Sequence, residues 1–370
     1  MRVGVIGGGQ LARMMIPPAV ALGVELRVLA EAEGSSAALA ATAVGDYRDE
    51  ATVLAFASEV DVVTFDHEHV PQPVLEALVA SGVAVHPGPH ALAVAQDKTV
   101  MRERLSAIGA PVPDWARVSD AAQLGAFLAD HGGVAVVKTP RGGYDGKGVR
   151  VVRDASGADD WFAEARDGLL VEEFVPFRRE LAQLVARRPS GQIAAWPLVE
   201  TVQRDGVCAE VFAPAPRAGA LPAEARALAE RIATELDVTG VLAVELFEAD
   251  DGRLLVNELA MRPHNTGHWS IDGAVTSQFE QHLRAVLDLP LGDPSPLAPV
   301  AVMVNILGGP SGERMPDRYA RAMADRPEVK LHSYGKESRP GRKVGHVTAT
   351  GDELDDVVAR ARAAAAFFQG

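Results

Sequence analysis

Two lysines and a run of glycines follow a predicted strand near the middle of the chain. Lys138 ends the apolar segment Val134–Lys138, and Lys147 lies inside the loop Gly142-Gly143-Tyr144-Asp145-Gly146-Lys147-Gly148. Glycines let a backbone approach phosphates closely, and two ammonium groups supply positive charge for a triphosphate. The loop is not a Walker A sequence, because its Gly-Lys spacing is one residue short and no Ser or Thr follows Lys147. We predict a glycine-rich cover over the phosphates of ATP; the alternative is a flexible hairpin with solvated lysines.

Carboxylates recur on later segments that are otherwise apolar. The segment Glu172–Val175 places an acceptor pair beside backbone amides, which suits an adenine and ribose hinge. Glu245 and Glu258 interrupt two apolar, strand-like segments, where a carboxylate is costly unless a cation lies near it. Magnesium takes oxygen ligands and is usually shared with phosphates, so we expect these two glutamates to hold it. The alternative is a pair of edge carboxylates that face water.

A polar segment, Arg262-Pro263-His264-Asn265-Thr266-Gly267-His268, follows the second of these strands. The spacing of His264 and His268 is the one that places two zinc ligands on the same face of a helix. Pro263 and Gly267 disfavour a helix here, so we favour a loop that grips a substrate or stabilises charge.

Near the N-terminus, Gly7-Gly8-Gly9-Gln10-Leu11-Ala12 follows a predicted strand and opens a predicted helix. Together with Glu31 after the second strand, it meets the dinucleotide-binding fingerprint. Such loops also bind other phosphates, because free backbone N–H groups face the anion at the helix N-terminus. Three interpretations stay open: binding of NAD, binding of another phosphate ligand, and a tight turn that packs the strand on the helix.

The elements that must position these residues are of two kinds. Up to about residue 95, strands alternate with helices, at Arg2–Ile6, Gln10–Leu22, Glu25–Ala30, Val60–Phe65, Val74–Ser81 and Ala84–His86. This rhythm predicts a parallel sheet with helices on both faces, in which Pro17 and Pro18 must break or kink the first helix. Antiparallel strands are predicted later, at Leu169–Phe174, Glu180–Arg187 and Gln192–Leu198, followed by a strand pair at Gly240–Phe247 and Arg253–Leu259. Two more strands are predicted near Ala301–Ile306 and His346–Ala349. The fold class is therefore α/β and α+β.

Composition limits the classes of function. The 370 residues carry a formal net charge of −14, and we find no basic cluster of the kind that nucleic-acid binders present. Cys208 is the single cysteine, which excludes an intrachain disulfide and a cysteine-built metal site. No apolar run approaches the roughly 18 residues of a membrane helix, and the N-terminus does not look like a secretory signal. We expect a cytoplasmic protein that binds neither nucleic acid nor membrane.

The order of these motifs resembles the ATP-grasp superfamily. Within it, the chain resembles the N5-carboxyaminoimidazole ribonucleotide synthetase family of purine biosynthesis across nearly its whole length. The motifs that carry this resemblance are Gly7–Leu11, Phe65–Pro71, Gly143–Gly148, Arg262–His268, Thr276–Arg284, Tyr334–Lys336 and Arg339–His346. The resemblance implies a Rossmann-like N-terminal domain at residues 1–95, an ATP-grasp domain at 96–295 and a small C-terminal domain at 296–370. The ATP-grasp domain would divide into 96–175, with the lid, and 176–295, with the main ATP-binding part.

The resemblance also implies roles for residues at matching positions. Contacts with ATP would come from Lys98, Lys138, Gly143, Tyr144, Asp145, Gly146, Lys147, Gly148, Val149, Glu172, Glu173, Phe174, Val175, Glu180, Gln203, Asn257 and Glu258. Magnesium, or manganese in its place, would be held by Glu245 and Glu258. The ribonucleotide would contact Gln10, Leu11, Glu68, Tyr144, Asp145, Lys336, Arg342 and Lys343. Bicarbonate and its phosphorylated form would lie near Arg262, His264, Asn265 and His268.

The implied reaction carboxylates aminoimidazole ribonucleotide with bicarbonate and ATP through carboxyphosphate, in a homodimer. Arg262 is the expected clamp on bicarbonate, because a planar guanidinium matches such an anion. Either His268 or Asp145 would assist deprotonation of the attacking amine. The family often has histidine at the position of Gln203, which weakens the expected ATP contact there. Rival functions are a formate-dependent glycinamide ribonucleotide transformylase-like ligase, an NAD-dependent dehydrogenase and a non-catalytic nucleotide-binding module.

Overall fold

The computed structural model describes residues 1–143, 148–165, 167–204, 206–309 and 314–368. Within these ranges the chain forms three β-sheets, one parallel and two antiparallel. The predicted contacts of Tyr144, Asp145, Gly146 and Lys147 lie outside the described residues.

The N-terminal part is a five-stranded parallel sheet with strand order β3-β2-β1-β4-β5. Its elements, together with the helix that follows it, are β1 (Arg2–Ile6), α1 (Gln10–Leu22), β2 (Glu25–Ala30), β3 (Ala41–Val44), α2 (Glu50–Ala57), β4 (Val62–Phe65), α3 (Gln72–Ala80), β5 (Ala84–Val85) and α4 (Pro89–Gln96). One buried cluster joins Val5 to α1, and another joins Ile6 to α2 and α3. Alternate residues of β1 therefore face helices on opposite sides of the sheet, which confirms the predicted α/β arrangement.

Helix α1 continues through Pro17 and Pro18 as one helix, so these prolines do not break it, and the predicted kink stays a prediction. Its buried face runs past them, with Met14 and Met15 before the prolines and Ala19 after them. Two missing N–H donors weaken the helix locally, but packing of this face on the sheet continues on both sides.

A four-stranded antiparallel sheet of order β6-β9-β7-β8 comes next, and we call it the small sheet. Its elements, with the helix that precedes it, are α5 (Lys98–Ala107), β6 (Trp115–Val118), α6 (Ala121–Asp130), β7 (Ala135–Lys138), β8 (Val149–Val152), α7 (Asp159–Glu164) and β9 (Leu169–Glu173). Asp97 begins α5 by accepting hydrogen bonds from the amides of Thr99 and Val100. The predicted glycine-rich loop joins β7 to β8.

The largest sheet, which we call the large sheet, has nine strands. Along it the order is β15-β14-β10-β12-β13-β16-β18-β17, and β11 pairs with β10. The elements are β10 (Phe177–Arg187), β11 (Ile193–Ala195), β12 (Val199–Arg204), β13 (Val207–Ala213), α8 (Leu221–Glu235), β14 (Gly240–Ala249), β15 (Leu254–Ala260), α9 (Ser270–Gly273), α10 (Gln278–Val286), β16 (Val300–Leu307), α11 (Tyr319–Asp325), β17 (Lys330–Ser333), β18 (Lys343–Gly351) and α12 (Leu354–Ala366). The C-terminal strands thus extend the sheet of the central part. The domain limits predicted above stay a proposal.

The parallel sheet is tied to the large sheet through His282 of α10. The Nδ1 atom of this buried ring accepts a hydrogen bond of 3.1 Å from the amide of Val241. Nε2 therefore carries the proton and donates it to the hydroxyl of Thr64 in β4, at 2.7 Å. Burial lowers the pKa of His282 to about 3, so the ring stays neutral at physiological pH.

Among the described residues, no helix is long and apolar enough to cross a membrane.

We predict that Thr64→Val lowers the free energy of unfolding by roughly 1–3 kcal/mol, because it leaves the His282 N–H buried without an acceptor. Valine keeps the shape of threonine, so packing changes little. Urea unfolding measures the difference, and Thr64→Ser, which keeps the hydroxyl, is the control. A valine variant as stable as the parent protein would contradict this role.

Candidate active site

A cleft of about 1680 Å³ lies where the three sheets meet. Residues of all three line it, such as Gln10 from the parallel sheet, Lys138 from the small sheet and Glu258 from the large sheet. The predicted site residues that line it are Gln10, Leu11, Glu68, Lys98, Lys138, Gly143, Val149, Glu172, Glu173, Phe174, Val175, Glu180, Gln203, Glu245, Asn257, Glu258, Arg262, His264, Asn265, Lys336, Arg342 and Lys343.

Gly148 does not line the cleft but closes the base of the glycine-rich loop. Its carbonyl accepts a hydrogen bond of 2.9 Å from the amide of Thr139. Its φ is +71°, and a Cβ there would collide with the Thr139 hydroxyl, so only glycine fits comfortably. The described ends of the loop are therefore held together like those of a hairpin.

Lys138 and Glu172 form a buried ion pair at the small-sheet end of the cleft. The Nζ atom of Lys138 lies 2.7 Å from Oε2 of Glu172 and donates to Oδ1 of Asn257 at 3.3 Å. Glu172 also accepts a hydrogen bond of 2.6 Å from Nε of Arg102, a fully buried arginine that sequence analysis missed. Burial opposes ionisation of Glu172, yet the charges of Lys138 and Arg102 hold its pKa below the usual value. The carboxylate is therefore occupied by two cations rather than open to a ribose.

Glu245 and Glu258 lie directly opposite each other on strands β14 and β15. The pairing skips Asn257, which forms a bulge, and the side chains of both Asn257 and Glu258 reach the cleft. Glu180 of β10 lies on the same face of the sheet as Glu245. It is two residues before Ala182, which pairs with Glu245, and side chains two residues apart on a strand share a face. Burial, with the charges of Glu258 and Glu180, raises the pKa of Glu245. Like charges placed so closely call for a cation.

The donor set fits a hard divalent cation that shares oxygen ligands with a phosphate chain. Across the described part of the chain, no group of three or more His, Cys, Asp or Glu side chains is placed to hold a metal ion. A metal here would therefore need further ligands from elsewhere, as magnesium bound with a nucleotide has. Lys98 pairs with Glu258 and supplies positive charge to the pair.

Arg262 and His264 line the cleft beyond these carboxylates. The Nε atom of Arg262 lies 2.8 Å from Oε1 of Glu68, and Nε2 of His264 lies 3.5 Å from Oε1 of Glu245. Gln278 holds the backbone of His264 on both sides, accepting from its amide at 2.8 Å and donating to its carbonyl at 2.7 Å. Burial, helped by the charge of Arg262, lowers the pKa of His264 to about 3, so this ring is neutral.

His268 does not lie in the cleft, and its predicted catalytic contact needs correction. The ring is fully buried and packs against Phe279, Tyr334 and His346. Its Nδ1 atom lies 2.8 Å from the side-chain Nε2 atom of Gln278, which donates a hydrogen bond to it. The loop turns through a short 3₁₀ helix at Asn265–Gly267, which points His264 and His268 in different directions.

The first glycine cluster is largely capped by the protein itself. The amide of Gly8 donates to Glu31 at 3.1 Å, and the amide of Ala12 donates to Asp66 at 2.7 Å. A hydrogen bond from His67 lowers the pKa of Glu31 to about 2, so this acid is ionised. In a dinucleotide-binding fold, the acidic residue at the position of Glu31 contacts a ribose. Here Glu31 accepts a hydrogen bond from the glycine loop instead. The two carboxylates disfavour an anionic phosphate at these amides.

Comparison with protein families assigns the three parts of the chain to known domains. Residues 1–96 match a ribonucleotide synthetase pre-ATP-grasp domain, and residues 103–279 match an ATP-grasp domain. Residues 301–360 match a phosphoribosylaminoimidazole carboxylase C-terminal domain. These matches confirm the predicted ATP-grasp fold.

Similar proteins span the same length. The N5-carboxyaminoimidazole ribonucleotide synthase of Mycobacterium tuberculosis is 53% identical over 374 residues, covering 98% of this chain and 86% of the relative. The enzyme of the same name from Corynebacterium ammoniagenes is 50% identical, covering 99% and 91%. N5-carboxyaminoimidazole synthase of Aspergillus clavatus, solved with ADP and 5-aminoimidazole ribonucleotide, superposes with a TM-score of 0.90 at 31% identity, covering 99% of this chain and 98% of its own.

We predict that Gly267→Ala lowers the free energy of unfolding by about 1–3 kcal/mol, because the new methyl group would collide with the Leu184 and Gln278 side chains. Displacing Gln278 also removes the hydrogen bonds that hold His264. Urea unfolding measures the loss. Gly125→Ala, where a Cβ meets Ala155 at an ordinary 3.6 Å, is the matched control and should keep parent stability. Equal stability of both variants would contradict the prediction.

Proposed function

The chain belongs to the N5-carboxyaminoimidazole ribonucleotide synthase family, and from this premise we propose how its cleft divides the reaction among its residues. The protein is an ATP-dependent ligase of purine biosynthesis. It carboxylates 5-aminoimidazole ribonucleotide with bicarbonate, giving N5-carboxyaminoimidazole ribonucleotide, ADP and phosphate. The formate-dependent alternative is not favoured by these relatives.

One observation carries the proposed division: polar and charged side chains line the cleft between Lys138 and Glu68. Lys138 donates to Asn257 and Glu245 lies opposite Glu258. His264 lies beside Glu245, and Arg262 pairs with Glu68. We assign the Lys138 end to ATP and the Glu68 end to the ribonucleotide. Bicarbonate then lies between them, beside Arg262.

The ATP end would bind the nucleotide between the small sheet and the large sheet. Lys138 provides a buried ammonium, and the segment Glu173–Val175 provides backbone groups for the base. Glu180 and Gln203 both line the cleft wall, and we propose that they contact ATP there.

Glu245 and Glu258 would hold magnesium against the phosphates. The metal, when bound, withdraws charge from the transferring phosphoryl group. The protein itself supplies positioning and fixed positive charge, which dominate catalysis of phosphoryl transfer. Lys98 neutralises Glu258 in this structure and is free to contact a phosphate when that carboxylate takes another partner.

Arg262 would hold bicarbonate while it is phosphorylated to carboxyphosphate. The guanidinium is paired with Glu68 here, so the anion must compete with that carboxylate or share the arginine with it. Gln10 and Lys336, which are hydrogen-bonded to each other, would contact the ribonucleotide with Arg342 and Lys343. Because His268 is buried outside the cleft, Asp145 is the remaining candidate of the two bases considered. We also propose a homodimer in the cytoplasm, as the family resemblance implies.

We expect ADP release to require both bicarbonate and aminoimidazole ribonucleotide. A pyruvate kinase and lactate dehydrogenase coupled assay measures the rate with each component omitted in turn. Formate in place of bicarbonate should give no stimulation. ADP formation that ignores the ribonucleotide would overturn the substrate assignment, and stimulation by formate with glycinamide ribonucleotide would favour the alternative ligase.

We expect Glu258→Gln to lower turnover at least about a hundredfold with the fold intact, because the charge stabilisation assigned to the metal is worth several kcal/mol. The same coupled assay measures turnover, and circular dichroism checks the fold. Glu224→Gln makes the same chemical change at an exposed position on α8 and should leave the rate unchanged. Near-normal turnover in Glu258→Gln would refute the magnesium role.

A further inference from the structure

Arg102 is a fully buried arginine that the proposed reaction does not use. It lies on α5, one turn after Lys98, so both side chains leave the same face of the helix. Lys98 pairs with Glu258, and Arg102 donates from Nη2 to the backbone carbonyl of Asn257 at 2.8 Å. Lys98 and Arg102, one turn apart on α5, thus contact Glu258 and Asn257, which are adjacent residues at the bulge of β15.

The contacts of Arg102 close a ring with the predicted ATP residues. Arg102 donates to one oxygen of Glu172, and Lys138 lies against the other. Lys138 donates to the side chain of Asn257, whose backbone carbonyl accepts from Arg102. Glu172 and Lys138 belong to the small sheet, whereas Asn257 belongs to the large sheet. The ring therefore joins the two sheets that would enclose the nucleotide.

The charge states of Lys138 and Glu172 in this ring depend on each other and on Arg102. Burial lowers the pKa of Lys138, and the charge of Glu172 opposes that effect. Glu172 is itself buried, with 2% of its surface exposed, and stays ionised because Lys138 and Arg102 are near. Buried ion pairs rarely add stability over well-packed apolar groups that replace the whole pair. A network of three charged side chains at this depth therefore points to a role beyond packing.

We propose that Arg102 is a positioning residue for the nucleotide: it anchors Glu172 to β15, so that Lys138 is held at the cleft floor between the two sheets. Arg102 does not line the cleft, so its effect reaches the ligand only through Glu172 and Lys138. This inference rests on the proposed function, which assigns this end of the cleft to ATP.

The test is calorimetric binding of ADP to the full chain without ribonucleotide or bicarbonate. We expect Arg102→Met to weaken ADP binding by about tenfold to a hundredfold, which is what the loss of one well-placed hydrogen bond to a charged group costs. The KM for ATP should rise by a similar factor, whereas the KM for the ribonucleotide should stay within about twofold. Arg102→Lys, which keeps the charge but lacks a forked head, should fall between the parent protein and Arg102→Met.

Arg179→Met is the matched control: Arg179 also pairs with carboxylates, but these are Glu200 and Glu248, which do not line the cleft, whereas Glu172 does. It should lose stability and keep parent ADP affinity. Parent affinity in Arg102→Met, or equal losses in both methionine variants, would overturn the positioning role. Should Arg102→Met not fold, parent affinity in Arg102→Lys would overturn it. Failure of the parent protein itself to bind ADP would refute the proposed function instead.

Discussion

The pairing of β14 with β15 is the constraint on which the rest of the site depends. It places Glu245 opposite Glu258, and like charges directly opposite each other on a sheet are destabilising. The bulge at Asn257 then turns an amide toward the same cleft, where regular alternation would have turned it away. Positively charged side chains line the same cleft, among them Lys98, Lys138, Arg262 and Lys343. Although the chain has a net charge of −14, its cleft therefore places cations beside the carboxylates, which suits anionic substrates.

Much of this arrangement can be predicted from the sequence, because burial leaves a periodic pattern. The strands that carry Glu245 and Glu258 and the first parallel strands are confirmed at nearly their predicted positions. Weakly patterned elements are missed: β3 alternates between half-buried and exposed residues without a strongly apolar face. The predicted strand at Gln192–Leu198 is observed only over Ile193–Ala195.

The burial of His268 and the occupied amides of the first glycine cluster have a common cause, since each depends on a partner distant in sequence. The direction in which His268 points is decided by Gln278, ten residues later, which also holds His264. The amides of the glycine cluster, which follows β1, are occupied by Glu31 after β2 and by Asp66 after β4, the two strands that flank β1. A local motif identifies groups able to bind a phosphate, but it does not tell which of them the fold has already used. Arg102 was not predicted for the same reason, because its partners Glu172 and Asn257 are distant in sequence. Within α5 its spacing is that of an ordinary amphipathic helix.

The ion pair between Arg262 and Glu68 joins the proposed bicarbonate site to the proposed ribonucleotide site. Glu68 follows β4 of the parallel sheet and Arg262 follows β15 of the large sheet, so their contact crosses the junction at which we propose that the substrates bind. A guanidinium held by one carboxylate keeps unused donors on its other edge, and it stays protonated because the charges of Glu68 and Asp66 raise its pKa against the effect of burial. In the proposed function, bicarbonate would meet a cation that is already oriented, so little reorganisation would be required when it binds. The pair that anchors the arginine also places it beside the proposed ribonucleotide site, which brings the carboxyl donor and its acceptor to one location.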